Sequence, residues 1–412
     1  MHNTMMRRLR AGAALTLLPM GAAAADLEVT HWWTSGGEAA AVQELARIFG
    51  EQTDHTWVDG AIAGSGATAR PIMMSRIMGG DPMGATQFNH GQQAQELVEA
   101  GMMLDLTEVA ERGNWREVIN PQSLLEACTF EGRIYCAPVN IHSPQWMWTS
   151  PAAFEAAGVA PATTWEELKA AAPALREAGK LPLALGMQGW QQGVLFYTLV
   201  AGLAGPEFYM QAFSTGDEDT LRSDQMAQIF QELDAARDMS SGGNLSEWNL
   251  ATARIIEGEA GAQVMGDWAQ GEFALAGKVA GEDYDCIIGV GGAPVIATGG
   301  DAFYFPLNRD AGVTEAQLAL AEVIVSPEAQ VAFNAAKGSL PVRGDIDLDE
   351  VNECTTRGLE TLAAGNTILS IDEVLQPDSR GQIEDLMSEF FGSSMAPADA
   401  HERLVQIILR DK

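Results

Sequence analysis

The chain has 412 residues, of which 47 % are hydrophobic, and a formal net charge of -32. This length allows two or three domains with buried cores, and the composition excludes a disordered protein. So acidic a surface repels nucleic acids and anionic lipids, which leaves a soluble protein with a neutral or cationic ligand.

The first 25 residues have the features of an export signal. Arg7, Arg8 and Arg10 precede a short apolar run, and small residues lead to a cleavage site that we place after Ala25. Cleavage removes three arginines and no acid, so the net charge moves from -32 to about -35. The apolar run is too short for an anchor helix, and no later stretch is long enough to span a membrane. We therefore expect a protein exported into a bacterial envelope.

The first half of the mature chain alternates strand-like and helical patterns. Strand-like runs occupy residues 27–33, 55–63 and 84–90, and helical patterns occupy residues 38–49, 67–78 and 92–99. This β-α-β-α-β order is typical of a parallel sheet covered by helices. The fold class is therefore α/β.

The cysteines favour disulfides, because their number is even and the compartment is oxidising. Of the three possible pairings we favour Cys128 with Cys136, since they bracket "TFEGRIY", whose Glu-Gly centre indicates a hairpin turn. Cys286 and Cys354 are then left over, and their pairing stays open.

The second half is mostly helical by pattern. Pro138, Pro144 and Pro151 interrupt regular structure and indicate a crossing to a second domain. Helical patterns follow at residues 164–178, 194–203, 223–238 and 249–257, with short strands at 181–185 and 261–265. The strand-rich segment 283–307 is expected to return to the first sheet, before helical patterns at 313–337, 380–390 and 397–410.

The segment "HWWTSGGE" follows the first strand, at the edge where open parallel sheets bind ligands. Because side chains alternate along a strand, Trp32 and Trp33 cannot both enter one core. One indole is therefore expected to face a ligand and to offer a flat apolar face that suits a pyranose ring. Gly36 and Gly37 would let the backbone approach the ligand, and Glu38 would accept hydroxyl hydrogen bonds. The alternative is that both indoles only pack in cores.

Two further positions belong to the same hypothesis. His90 ends another strand at the same predicted edge, where a structural role and a ligand contact are equally expected. The segment "VMGDWAQGEF" repeats the order strand, glycine, acid and tryptophan, so Trp268 would cover the opposite face of a bound ring.

The sequence contains no motif that points to catalysis or to a cofactor. It lacks the serine-hydrolase, zinc-protease, phosphate-loop and dinucleotide signatures. The cysteines and histidines lack metal-site spacing, so we expect no metal. A carboxylate pair that hydrolyses glycosides stays open, because the spacing that matters is spatial.

The order of "THWWTSGGE", "PVNIHSPQWMW", "VMGDWAQGEF" and "FNAAKGSLPVR" resembles the solute-binding proteins of sugar ATP-binding-cassette importers, especially the glucose and mannose binders. The resemblance covers essentially the whole mature chain. It implies a periplasmic-binding-protein fold, with two α/β lobes of discontinuous chain joined by hinge strands. The amino-terminal lobe would comprise residues 26–139 and 297–340, and the carboxyl-terminal lobe residues 140–296 and 341–412.

The resemblance also implies ligand-binding residues, a ligand and a partner. The matching positions are Trp32, Trp33, Glu38, His90, Trp268, Asp301 and Lys337. The chain departs from the glucose binders because no histidine lies between residues 143 and 400, where Gln376 is the only suggested substitute.

The resulting interpretation is a monomeric periplasmic protein without enzymatic activity, which binds a neutral monosaccharide and delivers it to membrane permease subunits. An exported glycosidase and a binder of another solute, such as a polyamine, are the alternatives.

Overall fold

The structure, a computed structural model, describes residues 24–346 and 351–410. The predicted signal peptide, residues 1–25, lies outside these ranges except for its last two positions. Within the described ranges, none of the helices combines the length and the apolar character that crossing a membrane requires.

The strands are short and alternate with helices along the chain. In chain order they are β1 (Asp26–His31), β2 (Thr56–Ala61), β3 (Ala85–Asn89), β4 (Thr129–Phe130), β5 (Arg133–Ile134), β6 (Cys136–Pro138), β7 (Trp146–Thr149), β8 (Leu181–Leu183), β9 (Ala260–Val264), β10 (Asp285–Ile288), β11 (Ile296–Ala297), β12 (Asp301–Tyr304) and β13 (Thr367–Ile368).

The helices of the first part of the chain are α1 (Gly36–Gln52), α2 (Ser65–Met78), α3 (Gln95–Glu99), α4 (Thr107–Arg112), α5 (Trp115–Val118), α6 (Ser123–Ala127), α7 (Pro151–Ala157), α8 (Trp165–Glu177), α9 (Gly189–Leu199) and α10 (Pro206–Met210). Those that follow are α11 (Glu218–Leu221), α12 (Asp224–Met239), α13 (Trp248–Ile256), α14 (Ala269–Leu275), α15 (Ala311–Ile324), α16 (Pro327–Lys337), α17 (Glu353–Ala363), α18 (Ile371–Val374), α19 (Pro377–Gly392) and α20 (Pro397–Arg410).

The first sheet has the strand order β2-β1-β3-β12-β6. β1 pairs in parallel with both β2 and β3, which confirms the predicted β-α-β-α-β unit. α1 buries Ala41, Leu45 and Ile48, spaced so that they share one helix face, and this face packs into the core. Within the predicted segment 283–307, β12 does return to the first sheet, where it pairs antiparallel with β3 and β6. The earlier part of that segment does not, because β10 pairs with β7 and β11 pairs with β13.

A second sheet, with the order β10-β7-β9-β8, is built from the middle of the chain. The predicted strands at 181–185 and 261–265 are β8 and β9, which run parallel to each other. Residues 139–145 connect β6 of the first sheet to β7 of the second, and residues 289–300 lead back from β10 to β12. The chain therefore crosses between the two sheets more than once, and the α/β fold with discontinuous halves is confirmed.

Both disulfides are present. Cys128 and Cys136 lie with their Cα atoms 5.0 Å apart and flank the hairpin of β4 and β5, whose turn residues Glu131 and Gly132 have φ angles of 48° and 79°. Positive φ at both positions is the geometry that the Glu-Gly turn predicted. The pairing left open, Cys286 with Cys354, joins β10 to α17 across 68 residues. A closed loop of that length contributes about 4 kcal/mol in the chain-entropy model.

The helical pattern predicted over residues 313–337 is divided into α15 and α16. Pro327 occupies the first position of α16, and the Ser326 side chain accepts a hydrogen bond from the Ala329 amide. Proline lacks the amide that a continuous helix needs but fits the first turn of a new one. The sequence Ser-Pro-Glu is thus a helix start that hydrophobic periodicity alone does not show.

Candidate functional site

One cavity of about 350 Å³ is lined by segments that follow strands of both sheets. Its volume lies in the range of about 300 to 1,000 Å³ that small-molecule sites occupy. The predicted site residues that line it are Trp32, Trp33, Glu38, Trp268, Asp301 and Lys337. Side chains separated by up to 305 positions of the sequence, from 32 to 337, therefore converge on one space.

Both tryptophans of the pair border the cavity, but they differ in burial. Trp33 is 1 % exposed, and its ring centroid lies 5.2 Å from that of Phe333 and 5.7 Å from that of Phe303. Trp32 is only partly buried, and its backbone amide donates to the Gln87 side chain over 3.0 Å. Because Trp33 is enclosed, Trp32 is the member of the pair with an indole surface left for a ligand.

Glu38 lies in the first turn of α1, where the Ser35 hydroxyl donates to its carboxylate over 3.1 Å. Burial raises the pKa of Glu38 to about 7, although the nearby Lys337 ammonium opposes this increase. Asp301 and Glu272 raise the pKa further, because a second negative charge nearby disfavours ionisation. Near neutral pH, Glu38 therefore exists in both forms.

Asp301, at the start of β12, is the centre of a buried hydrogen-bond network. Its Oδ1 accepts from Gln87 over 2.7 Å, and its Oδ2 accepts from Asn140 over 3.1 Å. His142 Nδ1 lies 3.0 Å from the same Oδ2, and the Lys337 ammonium contacts it as well. Burial would raise the pKa of Asp301, but Lys337 and His142 together hold it below its usual range. The carboxylate is therefore ionised.

Lys337 ends α16 and is 2 % exposed. Its ammonium nitrogen lies 4.9 Å from the centroid of the Trp33 ring, in addition to its contact with Asp301. A buried ammonium is stable only when its charge is paired, and both contacts serve that purpose.

Trp268 follows β9 and owes its position to a glycine. A Cβ atom added to Gly266 would lie only 2.0 Å from the indole of Trp268, so the ring occupies space that any other residue would fill. The preceding carboxylate, Asp267, accepts from the Ser143 amide over 2.9 Å and is fully buried, which raises its pKa well above the usual value. The segment "GDW" therefore fixes Trp268 against the connection between the sheets.

His90 is placed differently from the other predicted site residues. It is completely buried and is not among the residues that line the cavity. Neither ring nitrogen has a hydrogen-bond partner within the described ranges, and burial lowers its pKa to about 3. The imidazole is therefore neutral, and a direct ligand contact stays a prediction.

The glycine pair serves helix packing in the structure. A Cβ atom at Gly37 would lie 2.6 Å from the backbone carbon of Gly271 in α14, and the Gly37 amide donates to Glu272 over 2.9 Å. Neither Gly36 nor Gly37 lines the cavity. The glycine at position 37 therefore allows α14 to pack closely against α1. The expectation that Gly36 and Gly37 let the backbone approach a ligand is corrected accordingly.

Other cavity residues were not singled out from the sequence. His142 lies within the quoted segment "PVNIHSPQWMW", but nothing in its local pattern indicates a site. Others come from helices whose faces meet only after folding, among them Arg70, Trp190, Trp248, Asp372 and Arg380. Only the three-dimensional arrangement identifies them.

Solved structures of similar fold include a chitin oligosaccharide binding protein, with a TM-score of 0.76 at 19 % identity over 94 % of this chain and 98 % of that one. The bacterial solute receptor AcbH, described as having an exclusive preference for β-D-galactopyranose, has a TM-score of 0.75 at 14 % identity over 94 % of this chain and 98 % of its own. At these identities the likeness shows the fold alone.

Some proteins are more similar to this chain in sequence than these solved structures are. A probable sugar-binding periplasmic protein of Rhizobium meliloti is 38 % identical over 372 residues, which cover 88 % of each chain. A protein of the same description from Brucella melitensis is 36 % identical over 392 residues, 92 % of this chain and 91 % of its own. The family model of the bacterial extracellular solute-binding proteins matches residues 44–354, more than half of the chain. The chain belongs to this family of bacterial extracellular solute-binding proteins.

Proposed function

We propose that this chain is the periplasmic sugar-binding component of an ATP-binding-cassette importer. It binds a neutral monosaccharide, glucose-like or mannose-like, in the cavity and delivers it to the permease subunits of the membrane complex. The observation that carries the proposal is the cavity itself, which combines exposed indole surface with charged hydrogen-bonding groups. The sugar-binding periplasmic relatives from Rhizobium and Brucella support the same assignment.

The indoles and the charged groups have complementary tasks. Trp32 and Trp268 line the cavity from segments that follow β1 and β9, so each can cover the apolar face of a pyranose from its own sheet. Glu38 accepts hydroxyl hydrogen bonds when ionised, and Lys337 donates to hydroxyl oxygens. A sugar that lacks a required hydroxyl leaves one of these groups unpaired, at a cost of about 1 to 3 kcal/mol.

Two lobes, residues 26–139 with 297–340 and residues 140–296 with 341–412, are proposed to close around the ligand. Hydrogen bonds already join these lobes in the structure. Glu272 accepts from the Gly37 amide over 2.9 Å, and Asp372 accepts from the Asn89 side chain over 2.8 Å. A sugar that contacts both lobes adds its own binding energy to these contacts and favours the closed arrangement.

The arrangement of carboxylates argues against the glycosidase alternative. Glu38 has the raised pKa of a general acid, but hydrolysis needs a second carboxylate that is free to act. Asp301 is buried and ion-paired with Lys337, and Asp372 and Glu384 both pair with one arginine. Glu247, which also lines the cavity, accepts from a glutamine side chain over 3.0 Å. Each cavity carboxylate other than Glu38 therefore already pairs with or accepts from another side chain of the protein.

A ligand panel tests the proposal. Thermal shift and tryptophan fluorescence are recorded with glucose, mannose, galactose, xylose, a chitin oligosaccharide and a polyamine. A hexose at 100 times its Kd should stabilise the fold by about 2.7 kcal/mol. At the same sugar concentration Trp32→Ala should keep only about 0.9 kcal/mol of this stabilisation, whereas Trp57→Ala, which removes a partly buried indole outside the cavity, should keep all of it. Stabilisation by the polyamine alone, or by no sugar, contradicts the proposal. Chromatography with light scattering checks the expected monomer.

A further inference from the structure

His142 lies on the segment that joins the two sheets, and its backbone is fixed on both sides. Its amide donates to the Gly299 carbonyl over 3.0 Å. The next residue, Ser143, donates its amide to the Asp267 carboxylate over 2.9 Å and accepts from the Asp267 amide over 3.0 Å. The backbone that carries the imidazole is therefore held in a defined position beside the cavity.

The ring of His142 has one engaged nitrogen and one that faces away from the network. Nδ1 lies 3.0 Å from Asp301 Oδ2, and no described residue forms a hydrogen bond with Nε2. An ionised carboxylate can only accept, so Nδ1 carries the proton, and in the neutral ring Nε2 presents a lone pair. The side chain is 17 % exposed and lines the cavity, with its centroid 5.3 Å from that of Trp268 in an edge-on arrangement.

Asp301, in contrast, is 1 % exposed and already accepts from several side chains of the protein. An ionised carboxylate offers about four lone-pair sites. Gln87, Asn140, His142 and Lys337 already approach its two oxygens. Three of these donors, Asn140, His142 and Lys337, share Oδ2. A sugar hydroxyl at that oxygen would therefore have to displace a buried donor, whereas among the described residues Oδ1 accepts from Gln87 alone.

We propose that His142 Nε2 binds a hydroxyl of the sugar directly, beside Trp268, and that Asp301 is a positioning residue that acts through His142 and Lys337. This inference rests on the proposed sugar-binding function. It assigns a ligand contact to a histidine of the connecting segment, where the resemblance to glucose binders pointed to a histidine in the last third of the chain.

A cycle of protein variants and deoxy sugars tests the contact. Wild type, His142→Leu and the control His55→Leu, which alters a ring outside the cavity, are titrated with the bound monosaccharide and its monodeoxy analogues. Loss of one neutral hydrogen bond corresponds to roughly a tenfold loss of affinity. Removal of one particular hydroxyl should weaken sugar binding to the wild type and to the control by this factor. His142→Leu already lacks the contact, so it should bind that deoxy sugar as well as it binds the parent sugar. If every analogue loses the same factor in all three proteins, the contact is refuted.

A measurement on the wild type covers the case in which His142→Leu does not fold. Nitrogen NMR of the imidazole should report a protonated Nδ1 and an unprotonated Nε2, and only the Nε2 signal should move strongly when sugar binds. Asp301→Asn should change this tautomer, an effect that a purely structural role does not produce. If sugar binds but the Nε2 signal does not shift, the inference is overturned and the sugar-binding function is retained. If no sugar binds to the wild type, the proposed function fails instead.

Discussion

The ionisation of Glu38 should make sugar affinity depend on pH near neutrality. Burial raises its pKa to about 7, and the charged groups that act on it are Lys337, Asp301 and Glu272. Only the ionised carboxylate accepts two hydroxyl hydrogen bonds, so affinity should follow the ionised fraction. For a pKa near 7 that fraction is roughly 0.9 at pH 8 and roughly 0.1 at pH 6. The affinity should therefore fall about tenfold as the pH falls from 8 to 6.

Calorimetric titration of the sugar at pH 6, 7 and 8 and constant ionic strength measures this dependence. Glu38→Gln should bind more weakly than wild type at pH 8 and should lose most of the pH dependence. Glu44→Gln, which neutralises an exposed acid on the same helix, should retain the wild-type profile. A flat wild-type profile, or the same slope in Glu38→Gln, would refute the assignment of a hydroxyl-accepting carboxylate to this position.

Three further outcomes follow from the geometry. Trp32→Ala should raise the Kd roughly thirtyfold, about 2 kcal/mol for an aromatic anchor, with little change in Tm; an unchanged Kd in calorimetry contradicts its stacking role. Gly266→Ala should weaken binding almost as much as Trp268→Ala, because the new Cβ takes the place of the indole, and normal affinity would speak against this geometry. His90 has a folded pKa of about 3, so the unfolded chain binds a proton below about pH 6.5 that the folded chain does not. As the pH falls from 6.5 to 4.5, the free energy of unfolding, measured with denaturant, should therefore decrease less in His90→Leu than in the wild type, by up to about 1.4 kcal/mol per pH unit. The same pH dependence in both proteins would exclude this cause.

Local patterns predicted much of the architecture. Alternation along the predicted first strand, residues 27–33, indicated that the tryptophan pair divides between two environments, although β1 itself ends at His31. The Glu-Gly dipeptide between Cys128 and Cys136 indicated the hairpin and its disulfide. These features depend on neighbours within a few residues, so the sequence shows them directly.

Features that depend on distant neighbours were not accessible in the same way. Gly37 contacts Gly271, more than two hundred positions away, and this contact decides that the glycine serves packing and not ligand approach. His142 gains its candidate role only because Asp301 and Trp268 fold against it. The pKa of Glu38 likewise depends on burial beneath groups from other segments, which no local pattern specifies.

A crystal structure of the mature chain with the sugar identified by the ligand panel tests the central claim most directly. The account predicts one pyranose in the cavity, with a face against the indole of Trp32 or Trp268. Hydroxyls should lie about 3 Å from Glu38, Lys337 and His142 Nε2. A sugar bound elsewhere, or one in the cavity that contacts neither indole, would contradict the account.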